Sequence, residues 1–311
     1  MSTLTFASLL AAAGAPSSHV DARVLLTYFQ TGATSCVADA AIVAIAAAYL
    51  LGVRRLAARG RRWPTSQIVA FLAGLASIFV AVGSGLAAYD AISLPAHVVQ
   101  HLFLMMIGAP LLALGRPVTL LAQAGGRNTQ VRVLKIVNSR VAQILSGPIA
   151  AIAYYASMWI YFVTPIFVFA NSHAIFHDAT HLYFSAVGYL FWQGVIGLDV
   201  SRHRVSHALR LGTLFLGMPI EAFLGLTIMS MSKPIAPGYT LTGTHAGGAV
   251  FWITSMLIMG TAIIVSLRQW MQSEDRRAAR LDAALDREMA EEQLAFEREL
   301  ALNGHETPEP G

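Results

Sequence analysis

Charged side chains are scarce in this sequence, and their scarcity indicates a membrane protein. Only 12% of the 311 residues are Asp, Glu, Lys or Arg and 56% are hydrophobic, whereas soluble domains carry about 25% charged residues. The mean hydropathy of +0.59 agrees with this composition. Such a chain is predicted to cross the bilayer several times. The pI of 9.4 does not predict nucleic-acid binding, because the positions of the basic residues have a different explanation, given below.

Cysteine and lysine are also nearly absent. Cys36 is the only cysteine, so the sequence excludes an intramolecular disulfide, a Cys-x-x-Cys redox motif and a thiolate cluster within one chain. A metal ion would therefore need His, Met, Asp or Glu ligands. The only lysines are Lys135 and Lys233, and both lie in predicted loops. A retinal protein, whose Schiff base needs a lysine within a span, is excluded.

Long apolar segments are what the sequence does contain. Seven of them have roughly the 18–25 residues that a helix needs to cross the hydrocarbon. We therefore predict an all-α membrane protein, a bundle of seven transmembrane helices occupying residues 36–267. Residues 1–35 are predicted to form an extracytoplasmic arm, and residues 268–311 a charged, helical cytoplasmic tail. The predicted spans are 36–53, 67–88, 97–115, 143–169, 178–198, 211–231 and 245–267.

The basic residues predict the orientation of this bundle. Nineteen of the 21 Lys and Arg residues lie in the connections after the first, third and fifth spans or in the tail, which leaves only Arg23 and Lys233 for the other side. Cytoplasmic loops carry an excess of Lys and Arg. The N-terminus is therefore expected outside the membrane and the C-terminus in the cytoplasm.

Histidines gather at the outer ends of the predicted spans. His97 and His101 open the third span, His177 and His181 open the fifth, and His245 opens the seventh. Residues four apart share one face of a helix, so each pair presents two imidazoles in one direction. A single histidine at an interface is usually just hydrogen-bonded there. Two such pairs at matched depth are harder to explain by packing, because a buried imidazole without a partner costs free energy.

Imidazole ligands suit Cu, Zn, Fe and Ni, and methionine would shift the preference toward Cu(I). Met105 lies about one turn beyond His101 and is a candidate ligand, although methionine also fills gaps in ordinary apolar helices. Asp178 is a candidate for orienting a neighbouring histidine through a hydrogen bond. Glu221, predicted near mid-membrane, is a candidate for a role in proton movement or helix packing.

Three sequence motifs lie in order along the chain. The first is His97-x-x-Gln100-His101 with Pro110 and Leu114-Gly115-Arg116-Pro117. The second is His177-x-x-x-His181-Leu182 with Gly188-Tyr189-Leu190-Phe191-Trp192 and Gly197. The third is Gly247-Gly248-x-x-x-Trp252. Together they resemble the signature of a known family, the CtaG-type cytochrome c oxidase assembly factors. One departure concerns the residues before the third motif, where Gly243-Thr244-His245-Ala246 stands in place of an acidic and amide pair.

The resemblance implies a non-enzymatic protein of a bacterial plasma membrane that supports maturation of a haem–copper oxidase. We accordingly predict transient copper binding at the outer face for delivery to cytochrome c oxidase. His97, His101, His177 and His181 are the predicted ligands, completed by Met105 or His245. The expected partners are oxidase subunits, other copper chaperones and the lipid bilayer, with no nucleic acid.

Two other functions remain open on the sequence alone. An integral membrane haem-binding redox protein would use two histidines on different helices as axial ligands. A transmembrane electron path would favour such pairs at both depths, whereas the inner pair His203 and His207 lies in a basic loop. A metal-dependent membrane hydrolase would need a general base beside the metal, and Asp178 is the only carboxylate at the outer end of the fifth span.

Overall fold

The computed structural model describes residues 28–30, 32–144, 148–196 and 205–303, and within these ranges every regular element is helical. An isolated antiparallel bridge joins Phe29 to Ser84. The α-helices are α1 (Ala33–Ala57), α2 (Thr65–Gly83), α3 (Gly85–Tyr89), α4 (Leu94–Leu102), α5 (Ala109–Leu114), α6 (Pro117–Ala124), α7 (Arg127–Val137), α8 (Arg140–Ile144), α9 (Pro148–Val163), α10 (Ile166–Ser172), α11 (Ala174–Ile196), α12 (His207–Met229) and α13 (Leu241–Asn303). A π-helical segment, Phe103–Gly108, joins α4 to α5.

Five stretches of helix are long and apolar enough to cross a membrane: Thr34–Ala57, Thr65–Gly83, Leu94–Ala124, His207–Met229 and Leu241–Arg298. Helices α9 and α10 together make a sixth if the bent pair is one span. The prediction of a helical, multi-pass membrane protein is thus confirmed. The prediction of seven spans and the prediction of the orientation stay predictions. Helix α11, which corresponds to the predicted fifth span, is not among the apolar spans, and residues 197–204 at its predicted end lie outside the described residues.

The predicted fourth span, 143–169, is not one straight helix. Its helical path bends by 72° between α9 and α10, at Thr164 and Pro165. Proline lacks the backbone N–H that would continue the helix, so a break beside it is expected. The turn at Thr164 is stabilised locally, because its hydroxyl donates to the Ile160 carbonyl at 2.6 Å and accepts from the Ile166 N–H at 3.3 Å.

The run from α4 through α5 lies between α2 and α11, and glycines allow close approach on both sides. A Cβ added to Gly74 of α2 would lie 2.8 Å from the Leu112 nitrogen, and one added to Gly188 of α11 would lie 3.0 Å from the Met105 Cα. Small residues at such contacts let helix backbones pack tightly in a membrane. This central helix is therefore held on two faces by its neighbours.

The chain divides into two compact units, one ending at Ile263 and the other beginning at Ile264. Within the second unit the charged sequence continues as α13 to Asn303, and its described side chains are almost all exposed. Helical structure was predicted for this tail. The domain limits 1–35, 36–267 and 268–311 stay predictions, and most of the N-terminal arm lies outside the described residues.

Candidate metal centre

Helix α4 carries the first histidine pair. It begins after Ser93 with Pro95 in its first turn, a position where proline's missing N–H costs nothing. His97 and His101 are both completely buried. Their rings stack with centroids 4.8 Å apart, and their two Nε2 atoms are 2.9 Å apart. One of these nitrogens must therefore donate a hydrogen bond to the other.

Helix α11 brings the second pair against the first. The ring of His177 lies 5.3 Å from that of His97, and the ring of His181 lies 5.6 Å from that of His101. Within α11 the two rings are 4.4 Å apart. The structure thus gathers four of the six predicted ligands into one array of imidazoles between two helices.

Asp90 is a member of this cluster that the sequence analysis missed. It follows α3, and its Oδ2 lies 3.8 Å from the His177 Nε2. Ligand atoms of Asp90, His177 and His181 all lie within 4.8 Å of one another, a spacing that allows them to hold a metal ion. Burial raises the pKa of Asp90 to about 6, while the neighbouring His177 acts to lower it. Asp178, the predicted carboxylate partner, is instead exposed.

Gln100, the polar residue between the first two histidines, positions the Asp90 carboxylate. Its side chain is fully buried, and its Nε2 donates to the Ala81 carbonyl at 2.9 Å and to Asp90 Oδ2 at 3.4 Å. Gln100 belongs to the first sequence motif, but no role for it was predicted from the sequence. Its contacts hold the carboxylate in place beside the cluster.

Two tyrosines lie against His97. The Tyr239 hydroxyl donates to the Asp90 carbonyl and lies 3.4 Å from His97 Nδ1, and the Tyr161 hydroxyl lies 3.5 Å from His97 Nε2. His97 Nδ1 is also 3.3 Å from the Asp90 carbonyl. Asn171 donates to the Tyr239 hydroxyl at 3.0 Å. Both ring nitrogens of His97 therefore have polar neighbours.

The other three histidines are less well satisfied. The buried atoms His101 Nδ1, His177 Nε2 and His181 Nε2 have no hydrogen-bond partner. A buried polar atom without a partner is costly, and three in one cluster are unusual for a purely structural role. A metal ion bound by the imidazole lone pairs of His177 and His181 would satisfy two of these atoms. The donor set therefore fits a transition-metal ion.

The other two predicted ligands have different surroundings. Met105 is buried in the π-helical segment, and its carbonyl accepts a hydrogen bond from Trp192 Nε1 at 2.8 Å. His245 Nε2 lies 2.9 Å from the Met231 carbonyl. Metal ligation by Met105 and by His245 stays a prediction.

The π-helical segment begins two residues after His101, and π-helices are frequent at functional sites. A π-helix disturbs the regular ladder of backbone hydrogen bonds. Here two carbonyls of the segment accept hydrogen bonds from side chains on the flanking helices. Ser77 Oγ donates to the Phe103 carbonyl at 3.0 Å, and Trp192 Nε1 donates to the Met105 carbonyl. Ser77 and Trp192 thus stabilise the irregular backbone beneath the histidines.

Glu221, the predicted mid-membrane carboxylate, is buried in α12, and its Oε2 has no hydrogen-bond partner. Its carboxylate interacts electrostatically with the hydroxyls of Tyr154 and Tyr155 in α9. His173 is exposed and stacks on Phe169. His19, His203 and His305 lie outside the described residues.

Comparison with known families agrees with the resemblance. A family described as cytochrome c oxidase caa3 assembly factor matches residues 47–273 of the chain, a stretch that includes the whole cluster. The chain belongs to this family. The predicted family membership is therefore confirmed.

Curated relatives of this chain occur in mycobacteria. An uncharacterized protein of Mycobacterium bovis and one of Mycobacterium tuberculosis are each 32% identical over 274 residues, covering 82% of this chain and 42% of theirs. An uncharacterized protein of Mycobacterium leprae is 28% identical over 289 residues, covering 87% of this chain and 44% of its own. The chain thus spans less than half the length of these relatives. No solved structure matches it.

Proposed function

We propose that this protein supports the assembly of cytochrome c oxidase by binding copper transiently at the outer-face histidine cluster and releasing it to an oxidase subunit. Family membership supports the assembly role and favours a non-catalytic protein. The observation that carries the copper proposal is the pair of buried, unpartnered Nε2 atoms of His177 and His181 beside the Asp90 carboxylate. The plasma membrane of a bacterium is the proposed location, and other copper chaperones are proposed donors.

Copper is favoured by the donor chemistry of the cluster. Affinities of nitrogen and oxygen sites for divalent metals peak at Cu(II) in the first transition row, and imidazole also binds Cu(I). The site lies at one end of α4 and α11, which by the predicted orientation is the outer end. An ion held there is accessible to a partner through His177 and Asp90, whose side chains are each 13% exposed.

The haem-binding alternative finds no support. Axial ligation by histidines on different helices needs a porphyrin plane between the two imidazoles, but the rings of His97 and His177, and those of His101 and His181, meet edge to face with centroids 5.3 and 5.6 Å apart. The hydrolase alternative relies on Asp178 as the general base, but Asp178 is exposed on α11, and Asp90, the carboxylate that lies at the cluster, is proposed as a metal ligand together with His177 and His181.

The proposal is tested in cells that lack the native gene and carry variants of this protein. Changing His177 and His181 together to Ala should lower cytochrome c oxidase activity to the level of cells with no copy. The matched control is His173→Ala, because His173 lies one turn from His177 on the exposed side of the same region and should be dispensable. Normal oxidase activity with the double variant, at equal protein level, would refute a role for the cluster.

A further inference from the structure

The cluster has two tiers that differ in exposure and charge. Asp90 and His177 form the outer tier with His181, and the side chains of Asp90 and His177 are 13% exposed. His97 and His101 form the inner tier and are completely buried. The carboxylate faces the outer tier, since the contact between Asp90 and His97 uses the Asp90 backbone carbonyl.

The outer tier suits a divalent ion. Its candidate ligand atoms lie within 4.8 Å of one another, and the Nε2 atoms of His177 and His181 carry no hydrogen bond. Two imidazoles and one carboxylate form a mixed nitrogen and oxygen set of the kind that binds Cu(II) and other divalent metals. The carboxylate also compensates one positive charge of the ion, which lowers the cost of moving a divalent cation out of water.

The inner tier suits a monovalent ion. Its two donors are neutral imidazoles in complete burial, where a doubly charged ion without a carboxylate would be costly. The His97 Nδ1 is within reach of the Asp90 carbonyl, an arrangement that favours a proton on Nδ1 and leaves Nε2 of His97 as the acceptor for Nε2–H of His101. The unpartnered His101 Nδ1 agrees with this assignment.

A Cu(I) ion can replace the hydrogen that lies between these two Nε2 atoms. Metal–imidazole bonds of about 2 Å would widen the Nε2–Nε2 distance from 2.9 Å to about 4 Å for a linear ion. The displaced hydrogen moves to Nδ1 of the His101 ring. No electron is transferred in this step, and the ring stays neutral.

We infer that the cluster offers two copper positions, one for Cu(II) at Asp90, His177 and His181 and one for Cu(I) at His97 and His101. This inference rests on the proposed function and adds the oxidation state that each tier selects. It includes no electron transfer between the positions. The factor would accordingly hold copper in either oxidation state.

The test measures the two oxidation states separately on the full, detergent-purified chain. Cu(II) binding is followed by electron paramagnetic resonance, and Cu(I) binding by anaerobic competition with a chromogenic chelator. Asp90→Asn should weaken Cu(II) binding about tenfold or more, the size of effect that changes around a metal site produce, and should change Cu(I) affinity less than about threefold. Asp178→Asn is the matched control, an exposed carboxylate next to His177, and should alter neither.

The inner tier is tested by the reciprocal variant. His101→Asn should weaken Cu(I) binding about tenfold or more and leave the Cu(II) resonance unchanged, and His97→Gln provides a second inner variant if His101→Asn does not fold. Equal losses of both ions in the outer and inner variants would show a single shared position and overturn this inference alone. Failure of the wild-type protein to bind either ion would overturn the copper proposal as well.

Discussion

The first membrane-spanning helix and the third are both strongly apolar, yet the first is mostly exposed on the protein surface and the third is mostly buried. Only 6% of the most apolar window of Thr34–Ala57 is buried inside the protein, whereas 61% of the corresponding window of Leu94–Ala124 is buried. The first helix exposes side chains such as Val43 and Ile45 on the protein surface. The third carries His97 and His101, and its part from α4 through α5 lies between α2 and α11. Apolar composition therefore identifies spans but does not distinguish a peripheral helix from the central one.

The largest difference in stability between variants of these two helices is expected when a large side chain is truncated. Leu104→Ala truncates a side chain that is 1% exposed and should destabilise the protein by about 2–5 kcal/mol, through lost burial and the cavity left behind. Ile45→Ala truncates one that is 49% exposed and should change stability by less than about 0.5 kcal/mol. Thermal unfolding in detergent measures both. Similar melting temperatures for the two variants would contradict the difference in burial.

A smaller effect is expected from adding one methyl group beside the central helix. In Gly74→Ala the new Cβ would lie 2.8 Å from the Leu112 nitrogen and 3.0 Å from the Gly108 carbonyl oxygen. Because both are backbone atoms, the helices must separate, at a cost of about 1–3 kcal/mol. In the control Gly260→Ala nothing lies within 4 Å of the new Cβ, so stability should be unchanged or rise by up to about 1 kcal/mol through helix propensity. The melting temperatures should therefore move in different directions, and a loss of stability in Gly260→Ala equal to that in Gly74→Ala would count against this packing.

A single substitution can test how much the hydrogen bond from Trp192 stabilises the π-helical segment. Trp192→Phe keeps the aromatic ring but removes the donor to the Met105 carbonyl, which leaves a buried acceptor unpaired at a cost of about 1–3 kcal/mol. Trp252→Phe, at a tryptophan that is 36% exposed, should cost less than about 0.5 kcal/mol. If unfolding of Trp192→Phe were indistinguishable from wild type, Trp192 would not stabilise the segment.

The helical membrane fold and both histidine pairs were predicted from the sequence, because span length and the i, i+4 spacing are properties of short, continuous stretches of sequence. Asp90 was not predicted as a neighbour of His177, since Asp90 lies in a short connection with no spacing pattern relative to α11. The π-helical segment was missed for a related reason. Phe103–Gly108 is as apolar as an α-helical span, and its irregular hydrogen bonds depend on donors from Ser77 and Trp192, which are distant in sequence. Tertiary contacts of this kind leave no signal in local periodicity.

The most direct test of the account is the copper content of the detergent-purified protein after anaerobic loading with Cu(I) and removal of free metal. Elemental analysis should find copper in the wild-type protein and in the His173→Ala control. A variant with His97, His101, His177 and His181 all changed to Ala should retain almost none, with the protein still folded and helical. Equal copper in the wild type and the fourfold variant, or none in either, would contradict a copper site at the cluster.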